Sequence, residues 1–208
     1  DQASMQLRDL HLITDPVWDQ EPPDRQTWPE TDLTAIIVDN TPDELILEIP
    51  FQSNLEDLIL HVAFETKSDA EGADQDPFTQ PVYYGHDFKP DYVLSSKYSA
   101  NDYGDFRRWT GTGYEQWNPT TGEYGGEGNN IQGTWVIKEA TSVRMRIPKE
   151  PFGATMPESF LLEAYLTRER GEDPNKVRSA ALDSAPLDST LNLAYPIPET
   201  PDDPGWGQ

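Results

Sequence analysis

Residues 33–49 read LTAIIVDNTPDELILEI, and this stretch decides the fold class. Leu33 to Val38 is an apolar, β-branched run, which is typical of a buried strand. Asp39 to Asp43 contains the turn formers Asn, Pro and Asp. Glu44 to Ile49 then alternates, so that three apolar residues share one face: Leu45, Leu47 and Ile49. The two runs and the turn between them predict a β-hairpin.

A second strand pattern follows at Asp57 to Thr66, DLILHVAFET. Strand alternation places Leu58, Leu60, Val62 and Phe64 on one face, and Ile59, His61, Ala63 and Glu65 on the other. His61 lies on the less apolar of these two faces. We expect it to be a hydrogen-bonded core or interface histidine rather than a ligand for a cofactor.

Further short strands are predicted on both sides of these two patterns. They are Met5–Ile13, Val82–Tyr84, Tyr92–Ser95, Phe106–Trp109, Thr134–Glu139, Ser142–Ile147 and Ser159–Thr167. Residues 68–77 are acidic and lack an apolar period, and residues 111–130 are rich in glycine, so both are predicted as loops. About ten strands without a long helix predict an all-β protein, an antiparallel β-sandwich of the jelly-roll kind with long loops. We assign residues 1–199 to a single domain and residues 200–208 to a Pro- and Asp-rich tail or linker.

Composition limits the partners of this chain. The 208 residues carry 15 Lys and Arg against 38 Asp and Glu, a formal charge of −23. This excess of acid disfavours nucleic acid and anionic lipid, both of which require clustered cations. No apolar run is long enough for a membrane helix, so no membrane insertion is expected. Cysteine is absent, and the acidic, polar composition suits an extracellular or cell-surface protein. The alternative is a salt-adapted intracellular protein, since acidic surfaces keep proteins soluble at high ionic strength.

Three segments resemble the DOMON-like superfamily, which includes family 9 carbohydrate-binding modules. They are the strand pair in residues 32–49, the run Pro90-Asp91-Tyr92 with later tryptophans, and VRMRIPKEPF at 143–152 followed by FLLEAY at 160–165. The resemblance implies a β-sandwich of the kind attached to secreted amylolytic enzymes and surface proteins. Some DOMON domains bind haem between a Met and a later His; only Met5 keeps that order here, so haem is not expected.

The stretch from Tyr103 to Tyr124 supplies the candidate ligand-binding residues. Sugar rings stack on aromatic faces, and glycine-rich loops can keep such rings exposed. We predict a ligand-binding set of Trp109, Tyr114, Trp117 and Tyr124, with Arg108 as a hydrogen-bond donor to hydroxyls. The alternative is that the tryptophans, including Trp135, fill the core.

Calcium is the metal that this composition allows, because its ligands are carboxylate and carbonyl oxygens. Two clusters are candidates: Asp69, Glu71, Asp74 and Asp76, and the tail pair Asp202 and Asp203. For the first cluster the favoured interpretation is a solvated acidic loop, and a calcium site is the alternative. No other cofactor is expected, and no nucleophile, zinc or phosphate-loop motif indicates an enzyme.

The resulting function prediction is a non-catalytic carbohydrate-binding or accessory module of a secreted or cell-surface protein. Its expected partners are a polysaccharide or oligosaccharide and the neighbouring domains of a larger polypeptide. The alternative is a structural subunit of an extracellular filament or surface layer. In that hypothesis the strand Met5–Ile13 pairs with the sheet edge of a neighbouring molecule.

Overall fold

The computed structural model describes residues 11–14, 33–51, 55, 58–67, 71–77, 82, 84, 88–98, 102–126, 130–153, 160–168 and 183–185. Within these residues the protein is all-β and contains no α-helix, only a short 3-10 turn at Glu150–Phe152. The predicted fold class, an antiparallel sandwich of two sheets, is confirmed.

Over the described residues, twelve strands make up the two sheets. In chain order they are β1 (His11–Thr14), β2 (Ala35–Asn40), β3 (Glu44–Pro50), β4 (Leu58–Glu65), β5 (Tyr92–Tyr98), β6 (Tyr103–Trp109), β7 (Tyr114–Asn118), β8 (Glu123–Tyr124), β9 (Val136–Lys138), β10 (Ser142–Pro148), β11 (Leu161–Arg168) and β12 (Asp183–Ala185). One sheet has the order β1-β2-β3-β10-β9, and the other has the order β12-β11-β4-β5-β6-β7-β8.

The predicted hairpin is the β2–β3 pair, with Val38 opposite Leu47. Its turn is closed by Thr41, whose hydroxyl accepts a hydrogen bond from the Glu44 amide at 2.9 Å. The alternating apolar residues of β3 are fully buried, and they pack against residues of the other sheet such as Phe64. The main core therefore fills the space between the two sheets.

Strand β4 is buried on both faces, from Leu58 to Phe64. One face packs into the main core, as the alternation predicts. The other face is covered by parts of the connection between β4 and β5, which form a second, smaller cluster with the sheet. Its buried members are Ala63, Ala73, Val82, Tyr84, Phe88, Val93 and Tyr165. We call this second cluster, with the polar groups buried beside it, the outer layer.

The structure corrects three local predictions. Residues 111–130 are not only loop, because Tyr114–Asn118 and Glu123–Tyr124 pair as a hairpin. Val82 and Tyr84 are not in a strand; they lie buried in the outer layer. Beyond residue 170, where no strand is predicted, Asp183–Ala185 pairs with β11. Short pairs such as these are stabilised by neighbouring strands rather than by their own apolar pattern, so local periodicity does not indicate them.

Several expectations concern residues outside the described set. The tail at 200–208 and the first part of the predicted Met5–Ile13 strand lie there. The described end of that strand, β1, pairs with β2 within the same sheet, with His11 opposite Val38. Across the described residues, no helix has the length and apolarity needed to cross a membrane.

Candidate binding cleft

The site begins with residues 71–77, which we call the rim segment. Backbone hydrogen bonds to other described residues hold this segment: Ala73 donates to the Pro90 carbonyl at 3.0 Å, Asp76 to the Val82 carbonyl at 3.1 Å, and Tyr84 to the Asp74 carbonyl at 2.9 Å. Gly72 allows the close approach to residue 89, since a Cβ at position 72 would lie 1.9 Å from the Lys89 carbonyl oxygen. The rim segment is thereby fixed beside the end of the seven-stranded sheet.

An open cleft of about 590 Å³ lies along the rim segment. It is lined by the rim residues Glu71, Gly72 and Asp74, by Lys67 and Asp91 beside the sheet, and by Trp109, Thr110 and Gly111 at the end of β6. The volume falls within the range of small-molecule binding pockets. Most of its side chains are polar or charged, so the cleft suits a polar ligand.

Asp91 is the best-fixed polar group of the cleft. Its Oδ2 accepts hydrogen bonds from the backbone amide of Thr66 at 2.9 Å, from the Thr66 hydroxyl at 3.0 Å and from the Lys67 amide at 3.0 Å. Its Oδ1 lies 3.5 Å from the Lys67 ammonium, which is 58% exposed. Asp91 is itself only 4% exposed, so the pair presents the Lys67 ammonium, held in place by a buried and oriented carboxylate, to the cleft.

Trp109 and Tyr114 supply the aromatic part of the site. Trp109 lines the cleft, and the Tyr114 ring meets it edge-on, with centroids 5.1 Å apart and an interplanar angle of 63°. The Tyr114 hydroxyl donates to the Gln75 carbonyl at 3.1 Å, which ties this aromatic pair to the rim segment. Both rings are half-buried and pack against the outer layer.

The other three predicted ligand-binding residues lie on the opposite face of the sheet. Arg108 precedes Trp109 on β6 and so points the other way. Trp117 is only 6% exposed and belongs to the main core, where Tyr124 packs on it at 4.9 Å and 66°. Arg108 lies over the Tyr124 ring at 4.0 Å and binds the Glu115 carboxylate at 2.7 Å. The structure thus brings Trp109 and Tyr114 together at the cleft. The other three predicted residues lie on the opposite face of the sheet and do not join them.

A buried polar cluster lies in the outer layer beneath the rim segment. We call it the buried network, and it consists of His61, Asp76, Tyr84, Ser95, Tyr165 and Thr167. The predicted burial and hydrogen bonding of His61 are confirmed: its Nδ1 lies 2.8 Å from the Ser95 hydroxyl and its Nε2 lies 2.8 Å from the Thr167 hydroxyl. Tyr165 stacks on the imidazole ring at 4.6 Å.

Asp76 connects the buried network to the rim segment. Its Oδ2 accepts a hydrogen bond from the Tyr165 hydroxyl at 2.6 Å and lies 3.4 Å from His61 Nδ1. Because the Tyr165 proton is directed to the carboxylate, the Tyr84 hydroxyl, 2.7 Å away, must donate to the Tyr165 oxygen. The expectation of a fully solvated acidic loop is wrong at this position, since Asp76 is buried, whereas Asp74 is 84% exposed.

The arrangement of Ser95, His61 and Asp76 differs from that of a nucleophilic triad. In such triads the serine and the acid bind opposite imidazole nitrogens, whereas here both approach Nδ1. All three side chains are buried. In this structure the three groups are shielded from solvent, and the rim residue Asp76 is bound by Tyr165.

Burial changes the ionisation of several groups in the outer layer, among them His61 and Asp105. Burial lowers the pKa of His61 below its ordinary 6.5, and the Asp76 carboxylate offsets part of this effect. Asp105 on β6 is 1% exposed; burial raises its pKa to about 6, against the opposing effect of Arg107. Its Oδ2 accepts a hydrogen bond from Arg107 Nε at 2.9 Å, while Oδ1 accepts none from the described residues.

The metal candidates are only partly covered by the structure. Asp69, Asp202 and Asp203 lie outside the described residues. Among the residues that are described, no three His, Asp or Glu side chains form a group that could hold a metal ion. Asp76 is buried and engaged by Tyr165 and His61, which takes it out of the candidate set. Calcium binding by the other candidates stays a prediction.

Sequence reasoning missed most of the cleft. Lys67 carries no local signal in the sequence, and Asp91 stands out only as part of the Pro90-Asp91-Tyr92 run. The contact between residues 66–67 and residue 91 joins the two ends of a long connection, and no periodic pattern indicates such a contact. Comparison with protein families, curated proteins and solved structures gave no match for this chain.

Proposed function

We propose that this protein is a non-catalytic module that binds a neutral polysaccharide or oligosaccharide in the cleft beside Trp109. The observation that carries the proposal is the position of Trp109 in an open cleft together with Asp91 and Lys67. An indole ring offers an electron-rich face to the C–H bonds of a sugar, and fixed carboxylates and ammonium groups bind hydroxyls.

The charge of the site favours a neutral sugar. Glu71, Asp74 and Asp91 supply three carboxylates, and the ammonium groups nearby belong to Lys67 and Lys89, the latter paired with Asp74. With a net charge of −23 over the whole chain, an acidic or sulfated polysaccharide would be repelled. Neutral sugars avoid this repulsion and still use the oxygen acceptors of the cleft.

The direct test is affinity electrophoresis of the protein against neutral and acidic polysaccharides, followed by calorimetry on oligosaccharides of the retained type. We expect retardation by at least one neutral polysaccharide. Trp109→Ala should weaken binding by about tenfold or more, as removal of a central aromatic contact usually does. Lys67→Ala should weaken binding by a few-fold. Because the Lys67 side chain is exposed, this variant should fold and so keeps the test valid if Trp109→Ala does not.

Tyr103→Ala is the matched control, because Tyr103 is an exposed aromatic of β6 at the far end of that strand from Trp109. It should bind as the wild type does. Failure of the folded wild type to bind any of the polysaccharides would contradict the proposal. Full affinity in both Trp109→Ala and Lys67→Ala would place the binding site elsewhere.

A further inference from the structure

The cleft and the buried network share one structural element, the rim segment. Glu71, Gly72 and Asp74 of this segment line the cleft. Two residues further on, Asp76 turns into the outer layer and binds Tyr165. The position of one wall of the cleft therefore depends on contacts made beneath it.

We propose that the buried network is a proton-sensitive latch that holds the rim segment on the sheet while His61 is neutral and releases it when His61 is protonated. As a regulator of ligand binding the latch depends on the proposed function, but its opening can be observed without any ligand. In this role His61, Asp76 and Tyr165 are positioning residues of the cleft.

Hydrogen bonding at His61 explains why protonation disturbs the network. A neutral imidazole donates from one nitrogen and accepts at the other, so one of the Ser95 and Thr167 hydroxyls donates to it. An imidazolium donates from both nitrogens, and that hydroxyl would have to turn its hydrogen away. Burial also disfavours the charged ring, as the lowered pKa of His61 reflects.

Other ionisable groups face His61 from the elements packed around it. Asp76 and Tyr84 lie above it, and Tyr165 and Asp105 lie in its own cross-strand row on β11 and β6. The rows on either side carry Glu163, Arg107 and Lys97, and Tyr114 approaches from β7. Of these groups Asp105 acts against the latch, because its raised pKa makes acid favour the closed, buried state.

The change in opening with pH is set by how far the pKa of His61 differs between the closed and the opened state. In an opened state His61 would titrate near 6.5, so lowering the pH from 7.5 to 5.5 increases opening by up to about tenfold. If opening also exposes Asp105, its shift from 3.8 to about 6 reduces this gain by about fourfold. The wild type should then fall between about threefold and about tenfold.

Amide hydrogen exchange of the whole chain at pH 7.5 and 5.5, corrected for intrinsic rates, tests the latch. The reporters are the amides of Ala73, Asp76 and Tyr84, whose hydrogen bonds fix the rim segment. The amides of the β3–β10 pair serve as the internal reference, since they lie in the other sheet. In the wild type the rim amides should lose protection at pH 5.5 relative to this reference.

Two variants separate the two titrating groups. Asp105→Asn keeps the shape of the side chain and removes its titration, so its rim amides should show the full loss of protection of about tenfold. In His61→Gln the rim amides should lose no protection when the pH is lowered from 7.5 to 5.5. They should instead keep the same protection, or gain up to about fourfold from the titration of Asp105 alone. Equal pH dependence in His61→Gln and wild type would overturn the latch.

Asp105→Asn decides the question if His61→Gln does not fold. Rim protection in Asp105→Asn that does not change with pH would also overturn the proposal. The exchange experiment contains no sugar, so it stands or falls independently of carbohydrate binding. If both proposals hold, affinity for the retained oligosaccharide should fall at pH 5.5 in wild type and not in His61→Gln.

Discussion

The inner face of the seven-stranded sheet packs on apolar side chains, whereas its outer face packs on a hydrogen-bonded polar layer. In the main core Phe64 meets Phe106, Phe152 and Phe160 at centroid distances of 5.4 to 6.5 Å. In the outer layer, one residue before Phe64 on the same strand, Ala63 belongs to a cluster that surrounds His61 and Asp76. One strand thus supports two kinds of interior.

This difference separates the part of the molecule that supplies stability from the part that carries the candidate cleft. Apolar packing is non-directional and insensitive to pH, so the core between the sheets can serve as the rigid scaffold. Buried polar groups depend on each partner being in place, and their energy changes with ionisation. The candidate cleft is built on the polar side, which is the side that can respond to its surroundings.

The largest expected effect is in the main core. Phe64→Ala removes a fully buried ring and should lower the free energy of unfolding by about 3–5 kcal/mol. Urea denaturation measures the change. Ile137→Ala, at a 42% exposed position of β9, is the control and should change stability by no more than about 0.5 kcal/mol. A small effect at Phe64 would contradict the assignment of the core.

A smaller effect is expected in the outer layer. Tyr165→Phe removes the hydroxyl that donates to Asp76 and accepts from Tyr84, leaving both buried groups without that partner. The free energy of unfolding should fall by about 1–3 kcal/mol. Tyr103→Phe, which loses one exposed contact with Gln116, is the matched control and should be nearly neutral. Equal effects of the two variants would mean that the polar layer contributes nothing.

The smallest effect concerns the pH dependence of stability. The folded protein takes up a proton at Asp105 at a higher pH than the unfolded chain, because burial raises this pKa from 3.8 to about 6. Stability from this group therefore grows as the pH falls below about 7 and is lost as the pH rises through 6. The stability of wild type relative to Asp105→Asn should rise by about 1 kcal/mol between pH 8 and pH 5.

Denaturation series of the two proteins at matched pH values give this difference directly. His61 is present in both, so its opposite contribution cancels. A difference that stays constant across the range would show that the pKa of Asp105 is not raised by burial.

Much of the fold could be predicted, and the reason is visible in particular strands. In β3 and β4 the side chains alternate along the strand, and the face that holds Leu45, Leu47 and Ile49 is the face that is buried. The β7–β8 hairpin was missed because its strands are short and the Trp117–Tyr124 contact that joins them depends on the sheet behind it.

The candidate site was predicted only in part. The aromatic stretch includes Trp109 and Tyr114, which the structure places at the cleft, but neighbours in sequence point to opposite faces of a strand. Arg108 therefore lies over Tyr124 on one face of the sheet, whereas Trp109 lines the cleft on the other. An aromatic cluster in sequence does not indicate which rings share a surface unless the strand phase is known.

The sequence by itself determined an acidic, cysteine-free, all-β chain that forms a two-sheet sandwich. The reason is that apolar alternation is a local property, and it places on one face of each strand the side chains that become buried. Only the tertiary structure decided that residues 71–77 fold back over the sheet, that Asp76 is buried against Tyr165, and that Lys67 and Asp91 meet beside Trp109. These contacts join residues far apart in the chain through individual hydrogen bonds and ion pairs. Such pairs leave no periodic pattern in the sequence, because each involves a single pair of residues whose separation along the chain is not repeated.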